Sequence, residues 1–426
     1  FFEHTGDPDK PSLGSHTMVV ADHNGAFKPN AQGAVQFTRP GAVMRADSID
    51  RWRTESRLRT NAIEMGSWDY RTLRQRHGVL LTADGKPEGG QWNFDHDNRK
   101  PWPGTPAEPA DWRTPHDHSA LWATIEAAGV TTFGDPQADR LAWPLNRAEA
   151  LQHLDAFVTH ALPHFGDYQD AMRAQDPFLF HSLLSPYLNI GLLTPLEVCL
   201  AAQTAWKRGD APLNAAEGFI RQIIGWREYI NGMYWHYGPE FKELNNLEGK
   251  RKLLPLFTDS SKTKMNCLSH IVGDIEERAW THHIPRLMVL SNLALLAGVN
   301  PQEFLLWMRE NFIDAADWVM VPNVIGMGMH ADGGRMMTKP YVGGGSYISK
   351  MSNYCKGCVY DPKLRSGDNA CPFTTLYWNF LIENRPTFAK NHRMAQQLAG
   401  INRLSDVELL QERARDVLEG LDRGDI

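Results

Sequence analysis

The chain has no surplus of positive charge, no long apolar run and few cysteines. Of its 426 residues, 44 are Lys or Arg and 50 are Asp or Glu, for a net charge of −6. A domain built wholly around nucleic acid is usually basic, so any nucleic-acid surface here must be a local patch. The longest apolar stretch, residues 287–299, is broken by Ser291 and Asn292 and is too short to span a bilayer. No secretory leader pattern opens the chain. The expectation is a cytoplasmic protein with no membrane partner. The first residue is Phe1 rather than Met, as in a fragment or a processed product. Five cysteines in this length do not make a disulfide scaffold; their placement matters more than their number.

A hydrophobic content of 42% suffices for a buried core, and the length suggests two or three domains. Residues 1 to about 60 carry scattered Gly, Pro, Asn and Asp. Residues 33–37 and 79–81 are expected as strands, and 71–77 as the end of a helix. Residues 101–115, PWPGTPAEPADWRTP, hold five prolines and read as a linker. From about residue 146 the signals turn helical. Asn146 precedes Glu149, Asn214 precedes Glu217, Asp274 precedes Glu277 and Ser405 precedes Glu408. Each pair has the cap-x-x-Glu spacing that satisfies free N–H groups at a helix start. Asn300, Pro301 and Glu303 predict another start, with Gly298 closing the helix before it. Phe219, Ile220, Ile223, Ile224, Ile230, Met233 and Tyr234 recur at helical spacing. The expected domains are 1–100, an incomplete α/β unit; 101–145, the linker; and 146–426, a large helical domain.

Cys355, Cys358 and Cys371 lie together in YCKGCVYDPKLRSGDNACPF, and Cys267 lies 88 residues before Cys355. The C-x-x-C pair presents two thiolates to one centre, a third from the following loop can close it, and Cys267 is the candidate fourth ligand. Four cysteines suit structural zinc. Cys371 followed by Pro372 is a pattern common at iron–sulfur ligands. On local sequence the two stand level. Cys199, in the apolar stretch 196–202 after Pro195, reads as a core residue.

The four cysteines and the tail DNACPFTTLYWNF resemble the iron–sulfur bacterial cryptochromes and photolyases. So do the ordered segments HSLLSPYLNIGLLTP (181–195), EGFIRQIIGWREYI (217–230), THHIPRLM (281–288), WVMVPNVIGM (318–327) and ADGGRMMTKPY (331–341). The likeness runs from about residue 62 to the end and is densest over 181–392. It implies a mostly α fold: a large helical FAD-binding domain of the photolyase/cryptochrome type, preceded by a truncated or divergent α/β antenna-domain remnant. It implies a [4Fe–4S] cluster on Cys267, Cys355, Cys358 and Cys371.

The resemblance places the FAD phosphates on His181, Ser182, Leu183, Leu184 and Ser185, where hydroxyls and N–H groups at a helix start can hold a diphosphate or can simply cap the helix. It sets the helix of Gln222 and Arg227 against the FAD; Arg227 alone reads equally as a surface partner of Glu228. It gives Asp314, and Asn323 in the same region, flavin contacts, although such an Asp is often only a helix-end residue. His282 and His283 are adjacent, so on a helix they point about 100° apart. The resemblance puts them at a lesion pocket beside Leu287, Met327 and Tyr341, with Asp95 on the lesion-side loop 89–99. Trp307 matches an electron-feeding aromatic.

Two departures stand out. The usual antenna-domain opening is absent, which weighs against a lumazine antenna pigment. Asp259 and Met308 stand where electron-feeding aromatics are usual. The implied activity is light-driven, FAD-dependent repair of UV-damaged DNA by a monomer. The adjacent histidines favour (6-4) pyrimidine photoproducts, whose repair needs a proton donor. Lys339, Arg335 and Lys350 are candidates for holding DNA phosphates. The alternatives are a blue-light-sensing cryptochrome without repair, and a zinc-stabilised helical nucleic-acid-binding module.

Overall fold

A computed structural model describes residues 113–134 and 137–426, together with the backbone of short strands between Phe2 and Thr82. The chain divides into two compact units, Phe1–Trp92 and Asn93–Ile426. In the first, Phe2–His4 pairs antiparallel with His16–Met18, Gln36–Phe37 runs parallel to Ser48–Ile49, and Ala62–Ile63 pairs antiparallel with Leu81–Thr82. Gly66–Asp69 pairs antiparallel with Arg74–His77. Arg74–His77 is therefore a strand and not a helix end. Asp69 faces Arg74 in the register. Asp95 and residues 101–112 of the expected linker lie outside the described residues. Within 101–145 the segment Ser119–Ala127 is a helix that buries none of its residues.

The second unit is helical. Its caps show which start signals were real. The Asn146 side chain accepts from the Glu149 N–H, and Asn300 accepts from Gln302 and Glu303 with Pro301 in the first turn. Gly298, at φ +69°, closes the preceding helix. Three expected caps are wrong. Leu213–Ile220 is capped by Pro212, and Asn214 donates to Asp167 instead. Asp274 lies in the last turn of Asn266–Arg278, paired with Arg278. Val407–Arg423 starts after Asp406 rather than Ser405, and the Asp406 carboxylate is taken by Arg365 and Ser366. A cap-x-x-Glu spacing also occurs at i,i+3 inside helices, so it marks a start only where nothing else claims the side chain.

Two apolar cores hold the unit. One joins Ala150, Phe157, Phe165, Tyr187, Val198, Phe219 and Trp280, and includes Cys199. The larger runs through Leu254, Phe257, Ile271, Leu293, Phe304, Trp307, Ile325 and Phe373. Besides Phe157–Ala161, three stretches within this helical frame, Arg221–Arg227, Pro285–Ser291 and Pro322–Gly328, widen to π geometry. Widened turns are rare and cluster at functional sites because the extra residue re-aims side chains. These three carry Gln222, Arg227, Leu287, Asn323 and Met327.

Candidate functional site

The four expected cysteine ligands converge on one cavity, lined also by Met265, Gly345, Ile348, Tyr354, Tyr360 and Phe373. Cys267 sits in the first turn of Asn266–Arg278, and Cys371 is the cap residue of Pro372–Glu383. Two helix N-termini thus offer free N–H groups and positive dipole ends to the sulfurs. Burial pushes the Cys267 thiol well above the usual range, helped by the other three sulfurs, and burial lifts Cys371 to about 11. Thiolates crowded in such a place call for a cation. The backbone comes close as well. A Cβ on Gly345 would stand 2.8 Å from Cys371 Sγ and 2.9 Å from Thr374 Oγ1, so only glycine fits there. Among the described residues, the cysteines form no group of three whose donor atoms all lie within 4.8 Å of one another. Tetrahedral zinc, with Zn–S of about 2.3 Å, would draw its sulfurs to about 3.8 Å apart. The quartet is spread wider than that.

A buried ion pair forms the second feature. Arg286 donates to both oxygens of Asp314, at 2.9 and 3.1 Å, and both side chains are largely buried. Ser185 Oγ donates to Asp314 Oδ2 at 2.6 Å, and Asn189 donates to the Asp314 carbonyl. The Ser185 hydroxyl is thereby spent on Asp314. That leaves Ser182, whose Oγ accepts from Leu184 N at 3.4 Å, and the backbone of a segment where Leu183 holds φ +51°. The Arg286 guanidinium lies 4.2 Å over the Phe312 ring, and Phe312 meets Trp307 edge-on at 5.9 Å. Trp307 is buried among Phe257, Phe304 and Phe312. Arg227 lies 4.7 Å over Trp318, reaches the Leu188 carbonyl and donates to Glu228 Oε1 at 3.1 Å, as its reading as a partner of Glu228 expected, while its buried Nε has no partner among the described residues. The Asn323 amide donates to Val319 O within its own helix.

The histidines form a third group. His282 precedes its helix and is buried, while His283 opens the helix and is 44% exposed. His282 stacks face to face on His181, with centroids 3.9 Å apart and planes at 18°. His283 meets both rings edge-on and brings Nε2 to 3.3 Å from Asp170 Oδ1. Burial, then the His283 charge, pulls the His181 imidazole down to about 4, although the Gln169 and Phe178 carbonyls facing its two nitrogens pull the other way. Burial, with His181 and His283 nearby, holds His282 far below the usual range. The donor atoms of all three lie within 4.8 Å. Stacked rings, however, send their in-plane lone pairs side by side rather than inward, and both His181 nitrogens already face carbonyls, so the trio is not built as a metal centre.

Leu287, Met327 and Tyr341 do come together. Met327, Met336, Met337 and Ile230 make a small buried cluster, with Leu287, Tyr341, Trp318, Tyr229 and Met233 packed against it. Methionines give an adaptable apolar surface that suits a recognition pocket.

Residues 42–141 match the family described as deoxyribodipyrimidine photo-lyase-related protein. The chain is 46% identical over 344 residues to a protein of Agrobacterium fabrum named (6-4) photolyase, covering 79% of this chain and 66% of that one. The chain belongs to the photolyase–cryptochrome family. An uncharacterized protein of Acanthamoeba polyphaga mimivirus is 35% identical over 101 residues, which is 24% of this chain and 75% of that one. Among solved structures, a bacterial class III photolyase from Agrobacterium tumefaciens is similar at TM-score 0.42 and 20% identity, covering 66% of this chain and 57% of that one. No helix among the described residues is long and apolar enough to cross a membrane.

Sequence reasoning missed Arg286, Met336 and Met337. Arg286 stands inside THHIPRLM, where only the histidines carry an obvious chemical signal. Its partner is 28 residues away, and no local pattern links the two. The paired methionines follow a run of glycines, which the eye assigns to a loop and not to a pocket wall.

Proposed function

We propose that this member of the family is a light-driven, FAD-dependent repair enzyme for UV-damaged DNA, acting on (6-4) pyrimidine photoproducts. The observation that carries the reading is the pairing of a buried, neutral His282 with a solvent-accessible His283 that has a carboxylate partner, in a chain 46% identical to a protein named (6-4) photolyase. In this reading the helical region from about residue 146 is catalytic, and the amino-terminal residues are an antenna-type remnant.

FAD, when bound, supplies the light absorption and the electron that the lesion needs. The segment His181, Ser182, Leu183, Leu184 and Ser185 would hold it, with Gln222, Arg227, Asp314 and Asn323. The unpartnered Arg227 Nε fits an anionic ligand oxygen. Arg286 locks the Asp314 carboxylate in place and keeps that region charged but neutralised. The apolar faces of Leu287 and Met327, with Tyr341, would receive bases turned out of the duplex. His283 would donate the proton that a hydroxyl transfer between bases requires, and His282 would orient it. Cys267, Cys355, Cys358 and Cys371 suit a [4Fe–4S] cluster, because a multi-iron centre accepts sulfurs spread beyond zinc distances and the cavity offers four thiols and two helix N-termini. That centre would tie the helix of Cys267 to the distant carboxyl-terminal cysteines.

A blue-light receptor without repair is the second reading, favoured by one observation: Trp307 is ringed by phenylalanines, and Asp259 is engaged in its own turn with Ser261. The two readings separate on His283→Ala. For a repair enzyme, the variant keeps flavin absorbance and still binds (6-4) DNA but loses turnover by about 10²–10⁴, the usual worth of a positioned acid. Parental turnover in both His282→Ala and His283→Ala would overturn the assignment.

A further inference from the structure

The loop that follows Met336 and Met337 leaves the methionine cluster and passes through Thr338 and Lys339 to Tyr341. A segment more than fifty residues later is fastened to it. Asn391 Nδ2 donates to the Thr338 carbonyl at 2.7 Å, and an Arg393 guanidinium nitrogen donates to Thr338 Oγ1 at 2.8 Å. Asn391 Oδ1 accepts from the Arg393 N–H, which fixes the turn. The Phe388 ring packs on His330 at 5.8 Å, anchoring the other end of the segment. These ties hold Arg393 against the residue next to Lys339. Lys339 is half-buried, and its ammonium is pushed down first by that burial and then by the Arg393 charge. Among the described residues, no carboxylate forms an ion pair with Lys339, Arg393, Lys390 or Arg335.

Arg393 is bonded to the residue that precedes Lys339, and cations held in one neighbourhood without a counter-charge repel each other. The fold maintains the arrangement through three separate ties, where an ordinary surface would let the side chains part. Arg393 spends one edge of its fork on Thr338 and keeps other N–H groups for an oxygen acceptor. The position lies between Met336–Met337 and Tyr341, all of which belong to or pack on the methionine cluster that the proposed function assigns to the turned-out bases. When bases turn into such a pocket, the backbone phosphates remain at its rim.

We propose that Arg393 and Lys339, braced by Thr338 and Asn391, form a clamp for one backbone phosphate of the DNA beside the base pocket. The proposal rests on the reading of the chain as a DNA-repair enzyme, and it assigns a binding role to the carboxyl-terminal segment 388–393.

The test is the binding of the flavin-loaded full chain to fluorescent duplexes, with and without a (6-4) lesion, across a salt series. Arg393→Gln should lower the slope of log Kd against log salt by about 0.9 and weaken binding roughly fivefold at about 0.15 M salt. The loss should be the same on damaged and undamaged duplex, with flavin absorbance unchanged. Lys339→Gln should do likewise, and it leaves the Thr338 ties intact if Arg393→Gln loosens the segment. A parent protein that binds the duplexes while both variants keep its slope overturns the clamp alone. A parent protein that binds no DNA overturns the clamp together with the repair reading.

Discussion

Arg286 is the side chain on which the candidate flavin region depends. It is wedged over Phe312, pairs both oxygens of Asp314 and donates to the Thr281 carbonyl. Removing one member of a buried pair strands the other charge, at a cost of about 3–5 kcal/mol. Arg286→Met should therefore lower stability by that amount in urea unfolding and strip the flavin. Parental stability would show that Asp314 is held by something else. His181 gives a pH signature. Its folded value of about 4 lies below the ordinary 6.5, so only the unfolded chain takes up a proton as pH falls between those values. Stability is complete above 6.5 and declines toward 4. At pH 5.5 this one group should cost about 1.4 kcal/mol. Urea midpoints at pH 7.5 and 5.5 should differ more in the parent than in His181→Phe, and an equal difference would contradict the assignment. Part of this was legible in the sequence. The four cysteines announce themselves by type and spacing, whereas Asp314 and His282 stand out only through the family resemblance. Arg286 does not, because its meaning lies in a partner that only the fold brings near.

Helices were the easiest elements to anticipate and their ends the hardest. Asn146 and Asn300 cap as expected, whereas the Asn214 and Asp274 side chains go elsewhere and Asp406, not Ser405, stands at the cap position. Apolar periodicity marks a helix well, but a polar residue chooses among caps, ion pairs and solvent according to its tertiary neighbours. The widened turns were not legible at all, since nothing in the composition of residues 221–227 or 322–328 distinguishes π from α geometry. One element-level position is decisive for the cysteine cavity. Gly345 opens Gly345–Met351 with its backbone against Cys371 Sγ and Thr374 Oγ1. Gly345→Ala would push a methyl into Cys371, and overpacking of this kind costs about 1–3 kcal/mol. We expect the variant to purify with reduced iron and a weakened visible absorbance while Cys199→Ala keeps both. Full iron content in Gly345→Ala would mean that Cys371 is not a ligand.

For the molecule as a whole, the proposed function draws on four groups in one helical unit: the thiol cavity, the buried Arg286–Asp314 pair, the His181–His282–His283 group, and the cluster of methionines with Tyr341. Family likeness pointed to Asp314, Leu287, Met327 and Tyr341 but not to Arg286, Met336 or Met337, because likeness follows residue order while contacts depend on packing. The stacking of His282 on His181 and the capture of Ser185 by Asp314 are packing outcomes of that kind. The most direct measurement is illumination of the flavin-reduced full chain with duplexes that each carry one defined lesion, followed by mass analysis of the DNA. The expected result is light-dependent restoration of intact pyrimidines from the (6-4) photoproduct, with the cyclobutane dimer left unchanged. Restoration of the cyclobutane dimer alone, or of neither lesion in a protein with full flavin and iron, would contradict the assignment.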